Sequence, residues 1–195
     1  MRLTATAHEV LAAATGPGDI AVDATAGNGH DTVFLARQVG NTGHVYSFDI
    51  QSQALAATAS RLAAAGTGAG QRVTLINACH SRMSEEIPIH LQGKIACVMF
   101  NLGYLPGGAH SVTTTATTSV QAIGQALDML RPGGVLSVLG YTGHSGGQAE
   151  VDAIEQQISG SAAAIADWQE FPAAQSRPAK RAAAMPRLFI AHRRG

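Results

Sequence analysis

Apolar runs of strand length alternate along this chain with longer segments of helical period, which restricts the fold to a mostly parallel sheet wrapped by helices. The spacing predicts strands over 19–23, 44–49, 72–76, 95–100 and 135–139. The fourth, Ile95-Ala96-Cys97-Val98-Met99-Phe100, is apolar throughout and therefore central. Helices are predicted over 5–15, 30–39, 51–65, 114–130 and 148–158. Their ends are marked by Gly16-Pro17-Gly18, by Gly66, and by Arg131-Pro132-Gly133-Gly134, the turn expected before the fifth strand. Two weaker strands, 164–171 and 187–192, finish the sheet as an end hairpin, and a Pro/Ala/Arg loop over 172–186 joins them. The expectation is a single α/β domain over 1–195, doubly wound, with a seven-stranded and mostly parallel sheet. With 36 Ala and 22 Gly among 195 residues, helices can approach such a sheet closely.

Charge narrows the function classes. Lys+Arg and Asp+Glu balance at 13 each, yet residues 171–195 hold Arg177, Lys180, Arg181, Arg187, Arg193 and Arg194 with no acid. Such a split can mark contact with a polyanion, and its plainer reading is a solvated basic tail. An aromatic fraction of 5% argues against an aromatic single-strand binding platform. The N-terminus lacks the apolar run of a secretory signal, and no stretch approaches the ~20 apolar residues of a membrane span. Cys79 and Cys97 form no CxxC pair, and no histidine shows ligand spacing, so neither a disulfide framework nor a metal site is expected. A cytoplasmic protein is the expectation.

The strongest local signal is Asp23-Ala24-Thr25-Ala26-Gly27-Asn28-Gly29-His30-Asp31, between the first strand and its helix. Glycines let the backbone approach a ligand, and a helix start presents free N–H groups. Asp49 ends the second strand 20 residues past Gly29, where a carboxylate accepts both ribose hydroxyls. A dinucleotide fingerprint would need a third glycine where Thr32 stands, and no phosphate loop of the G-x-x-x-x-G-K-[ST] type occurs. An acid ahead of the glycines suits a ligand carrying an amino acid group. Those points favour S-adenosylmethionine (SAM), with its ribose and adenine and no phosphate. Gly27, Gly29 and Asp23 are expected to hold its methionine part and Asp49 its ribose. Thr25, Asn28, Gln51, His80 and Asn101 complete the cofactor side. His80 after the third strand reads equally as an adenine-side group or a surface turn residue.

At the end of the fourth strand stands Asn101-Leu102-Gly103-Tyr104-Leu105-Pro106-Gly107-Gly108. It has the look of the [D/N]-P-P-[Y/F] signature of amino-group methyltransferases, with Leu102-Gly103 in place of the prolines. There an Asn or Asp side chain accepts from the target amine and the ring stacks on the base. A neutral amine must align with the S–CH3 bond, so positioning and desolvation supply most of the rate. The plainer reading is a Gly-rich turn.

Taken together, Asp23–Asp31 with Phe34-Leu35-Ala36, Phe48-Asp49-Ile50-Gln51, Met99–Gly108 and Gly143-His144-Ser145-Gly146-Gly147 resembles a family of small SAM-dependent methyltransferases. Its members, long labelled rRNA methylases, are associated with tRNA wobble-uridine modification. The resemblance spans about residues 20–150. It implies a Rossmann-like class I methyltransferase fold, SAM as cofactor, and conversion of 5-aminomethyl-(2-thio)uridine to its 5-methylaminomethyl form. The implied partner is RNA, specifically the anticodon region of tRNA. At the C-terminus Gln175 and Pro186 echo a family N-Q…P-P stretch, whereas Arg177-Pro178-Ala179-Lys180-Arg181 departs from it.

Asn101 and Tyr104 are thus expected to place the amine, and Asp31 either orients it or caps its helix. Leu105, Pro106, Gly107, Gly108, His144, Lys180 and Arg181 are assigned to the substrate side. His110, Ser111 and Thr113 read as helix-capping residues or as substrate contacts. Rival readings are a methyltransferase acting on rRNA or a small molecule, and a non-catalytic SAM- or RNA-binding protein on the same fold. Homodimerisation is left open.

Overall fold

A computed structural model, describing residues 3–66, 68–105, 107, 112–172 and 186–195, shows how the predicted runs assemble. In chain order the elements are α1 (Leu3–Ala14), β1 (Ile20–Asp23), α2 (His30–Gln38), β2 (His44–Phe48), α3 (Ser52–Ala64) and β3 (Val73–Ile76). They continue with α4 (Met83–Glu86), β4 (Ile95–Asn101), α5 (Ala116–Met129), β5 (Leu130–Gly140), α6 (Gly147–Gly160), β6 (Ile165–Pro172) and β7 (Arg187–Arg193). The sheet has seven strands in the order β3-β2-β1-β4-β5-β7-β6. Strands β1 to β5 pair in parallel and β7 runs antiparallel between β5 and β6, so the expected end hairpin closes one edge.

Strand β4 is the centre of this sheet and is buried along almost its whole length. Its side chains alternate: Val98 and Phe100 pack with α5 and α6 on one face, while Cys97 and Met99 pack with α1 and α2 on the other. Alanines hold the helices close, with Ala7 on α1, Ala36 on α2, and Ala122 and Ala126 on α5 all fully buried. Burial on both faces explains why this run is continuously apolar rather than alternating.

One predicted boundary is corrected. The Arg131-Pro132-Gly133-Gly134 turn lies inside β5 rather than before it. Leu130 already pairs with Ile95, and the register then shifts before Cys97 meets Val135. The excursion is a bulge, with Gly133 at φ +73°. Arg131 anchors it through both terminal guanidinium nitrogens to Asp19 ahead of β1, a contact 112 residues away in the chain.

Candidate active site

The strand order reverses between β1 and β4, and loops leaving their carboxyl ends diverge there to open a cavity of about 650 Å³. That size suits a small-molecule site. Its wall comes from the loops after β1, β2, β4 and β5, with Ala78, Cys79 and His80 after β3.

The loops are tied to one another before any ligand is considered. Ala24 N–H donates to Met99 O at 2.8 Å and Ala26 N–H to Phe48 O at 2.8 Å. Asn101 N–H donates to Thr25 Oγ1 at 2.7 Å. Asp49 accepts Gly27 N–H at Oδ2 (3.0 Å) and Gln51 N–H at Oδ1 (2.9 Å). The Asn28 carbonyl accepts from Arg61 Nε on α3. Gly29 has φ +78°, and a Cβ there would stand 2.7 Å from Thr58 Cα on α3. Backbone cannot yield as a side-chain tip can. Gly29→Ala is therefore expected to destabilise by about 2–4 kcal/mol, from left-handed strain plus overpacking, read as a lowered melting temperature.

Asp31, 6% exposed, lines the cavity. Its Oδ1 is 2.8 Å from His8 Nε2 on α1, and its Oδ2 accepts from Asn101 Nδ2 at 3.3 Å. Those contacts, rather than capping of α2, occupy the carboxylate. With Asn101 Nδ2 so engaged, the other end of its amide is the acceptor Oδ1.

Asp23 stands behind the wall. Its carboxylate accepts from Thr25 N–H and from Thr32 Oγ1, which also meets Ser47. Burial pushes Asp23 up to about 7, and the nearby Asp31 charge acts in the same sense. Between about pH 4 and 7 the folded chain therefore holds a proton that the unfolded chain has released, so stability falls progressively as pH rises across that window and the loss is complete above 7. Relative to the wild type, Asp23→Asn should gain about 1–3 kcal/mol between pH 5 and 8, measured as the difference in denaturation across pH. His80, lowered to about 4 by burial, acts oppositely below 6.5 but is common to both proteins.

The far wall is built from the β4 loop, the residues ahead of α5, and the β5 loop. Tyr104, 40% exposed, bridges to Thr113 and meets His144 edge-on at 6.3 Å between ring centres. Gly103 donates to Thr114 Oγ1 and accepts from Thr113 Oγ1 and Thr114 N–H. Thr114 and Ser119 in turn donate to Glu150, a fully buried carboxylate on α6. That buried anchor holds the Asn101–Tyr104 turn against α5 and α6. Charge-assisted bonds of this type are the stronger ones.

Of the residues expected from sequence, Thr25, Gly27, Asn28, Asp31, Asp49, Gln51, His80, Asn101, Tyr104, Leu105 and His144 line one cavity. Asp23, Gly29 and the exposed Gly107 do not line it. Pro106, Gly108, His110, Ser111, Arg177, Lys180 and Arg181 lie outside the described residues. The basic C-terminal segment reads differently in three dimensions. Arg187 is held by Glu155 and Glu170, and Arg193 and Arg194 donate to carbonyls at 162–165. Those three cations close the sheet edge, so half of the apparent polyanion signal is structural. His8, Tyr141 and Glu150 were not singled out by sequence; a lone His on a predicted helix carries no local signal. Among the described residues there is no cluster of three or more His, Cys, Asp or Glu able to hold a metal, and no helix long and apolar enough to cross a membrane.

Known proteins resemble this chain in sequence and in fold. A curated relative from Arabidopsis thaliana, a chloroplastic tRNA (mnm(5)s(2)U34)-methyltransferase, is 39% identical over 173 residues. That match takes in 86% of this chain, which spans 62% of the relative's length. A crystal structure of a "putative rRNA-methylase" from Clostridium thermocellum superposes with a TM-score of 0.83 at 34% identity, covering 97% of this chain and 96% of that one. A crystal structure of a "putative methyltransferase" from Streptococcus mutans, in complex with S-adenosylhomocysteine (SAH), superposes with a TM-score of 0.79 at 30% identity, covering 99% and 98%. Residues 45–191 match a family profile over well more than half of the sequence, and the chain belongs to that family, described as "Putative rRNA methylase".

Proposed function

We propose that this protein is a SAM-dependent N-methyltransferase of RNA, converting the 5-aminomethyl group of a tRNA wobble (2-thio)uridine to 5-methylaminomethyl. The observation that carries the reading is the Asn101 amide, fixed by Asp31 at the end of β4 in the same cavity as Asp49. The Arabidopsis relative's activity and the SAH in the Streptococcus structure support substrate and cofactor respectively.

The residues present fit SAM. Asp49 offers carboxylate oxygens for the ribose. Phe48, Ile50, Ala78 and Leu102 supply apolar wall for a purine. His80 Nε2 is buried there with no hydrogen-bond partner among the described residues, an orphan that a purine nitrogen or amino group satisfies. Thr25 and Gly27 face the methionine part, and Asp23 shapes their loop from behind. When bound, SAM supplies an electrophilic methyl group on a sulfonium. Asn101 Oδ1 accepts an amine N–H and so aims the nitrogen lone pair, and the cavity wall excludes water from the neutral amine. We assign to Asp31, which lines the cavity and keeps lone pairs beyond those taken by His8 and Asn101, the proton that the methylated nitrogen sheds. Tyr104, beside His144 at the mouth, offers a ring face to the base.

The test is nucleoside mass spectrometry of tRNA carrying 5-aminomethyluridine, incubated with SAM with and without the protein. Gain of one methyl group on that nucleoside is the expected result. No gain with SAH still bound would overturn the tRNA assignment and turn attention to rRNA or a small amine. Failure on every such acceptor would leave a binding protein.

A further inference from the structure

His8 lies on α1, outside the strand–loop–helix units that make the cavity, and does not line it. Its ring nevertheless reaches the site through two contacts. It lies flat on Phe34 of α2, with centroids 3.9 Å apart and planes 4° from parallel. Its Nε2 meets Asp31 Oδ1 at 2.8 Å, while Asp31 Oδ2 holds Asn101 Nδ2. The result is a three-member chain, His8–Asp31–Asn101, joining residues 23 and 70 positions apart in sequence.

An Asn amide has a donor end and an acceptor end that exchange by a half-turn of the side chain. Only the acceptor end can take an N–H from a neutral amine; the donor end would compete for the lone pair that must attack. Asp31 selects the productive orientation as long as Oδ2 stays on Asn101. A carboxylate held at one oxygen alone can rotate or swing away. The His8 bond to Oδ1 removes that freedom, and the stack on Phe34 fixes the imidazole.

We propose that His8 is a positioning residue for methyl transfer, acting through Asp31 to keep the Asn101 amide turned with Oδ1 toward the substrate amine. The proposal rests on the amine-acceptor reading of Asn101 given above.

Two variants separate the hydrogen bond from the packing. His8→Phe keeps a ring over Phe34 and removes the donor; His8→Gln keeps an N–H donor and removes the ring. In His8→Phe, kcat for 5-aminomethyluridine tRNA should fall about 10- to 100-fold, with KM for SAM, SAH affinity and melting temperature little changed. His8→Gln should recover part of that loss. On an Asp31→Asn background, His8→Phe should add nothing further, because the two act as one unit. Turnover by His8→Phe within twofold of wild type, equal losses in Phe and Gln, or additive losses with Asp31→Asn would each overturn the role. A second readout needs no substrate. The Asn101 side-chain amide signal in 1H–15N spectra, assigned by its loss in Asn101→Ala, should move in His8→Phe and return toward its place in His8→Gln. An unmoved signal rejects the positioning role, whereas a moved signal with an inactive wild type rejects the tRNA reading alone.

Discussion

Asn101→Ala is expected to lower kcat for amine methylation by about 100- to 1,000-fold, the range seen when one positioned polar group is removed from a reacting centre, while SAH affinity changes by no more than a few-fold. The two effects separate because of where the residue sits. Its backbone N–H, held by Thr25 Oγ1, is kept by alanine, so the stitching between the β1 and β4 loops survives. What disappears is the amide, whose Nδ2 is engaged by Asp31 and whose Oδ1 is offered to the amine. Removing it also leaves one oxygen of a nearly buried carboxylate without its donor, so Asp31 itself becomes less well placed. Single-turnover rates with saturating SAM, set beside calorimetric SAH binding, check the split. Normal turnover would remove Asn101 from the reacting centre, and a matching collapse of SAH affinity would make it a cofactor residue instead.

Asp49→Ala should weaken SAM and SAH binding by about 100-fold or more, since each hydrogen bond to an ionised group contributes about 1.5–3 kcal/mol, with the fold intact. The carboxylate has two tasks. It accepts N–H groups from Gly27 and Gln51, which shape the loops after β1 and β2, and it has lone pairs left for ribose hydroxyls. Alanine removes both, so the loss should exceed that of a ribose contact alone. Asp49→Asn, which keeps one acceptor oxygen, should fall between. Because Asp49 lies at a strand end and outside the two apolar clusters, melting should change little. Undiminished SAH affinity in Asp49→Ala would refute the cofactor assignment.

The site was legible in sequence where it depends on local grammar. Gly27 and Gly29 after an apolar run, Asp49 at the next strand end, and Asn101-Leu102-Gly103-Tyr104 after the most apolar run are each set by neighbours within a few residues. The meeting of Gly27, Asp49 and the Asn101–Tyr104 turn in one cavity follows from the doubly wound order, which the alternation of strands and helices implies. Helix positions were recovered to within a residue or two at most ends, since 3.6-residue periodicity and breakers such as Gly66 are local signals.

Other features have no local signature. Nothing near Arg187 announces that Glu155 and Glu170 will answer its charge; its place in β7, antiparallel beside β6 and within reach of α6, does. Arg131-Pro132-Gly133-Gly134 reads as a turn, and only the pairing of Leu130 with Ile95 draws it into a strand. Glu150 looks like a surface helix carboxylate until α6 packs on α5 and brings Thr114 and Ser119 to it. Strand and helix content, the glycine loop and such cavity-lining polar groups as Thr25, Asp49, Asn101 and Tyr104 were therefore determined by sequence alone, through interactions spanning one or two turns of chain. The partners of His8, Arg187 and Glu150 were decided only by tertiary structure, because contacts between segments tens of residues apart depend on sheet register and helix docking, which no short stretch encodes.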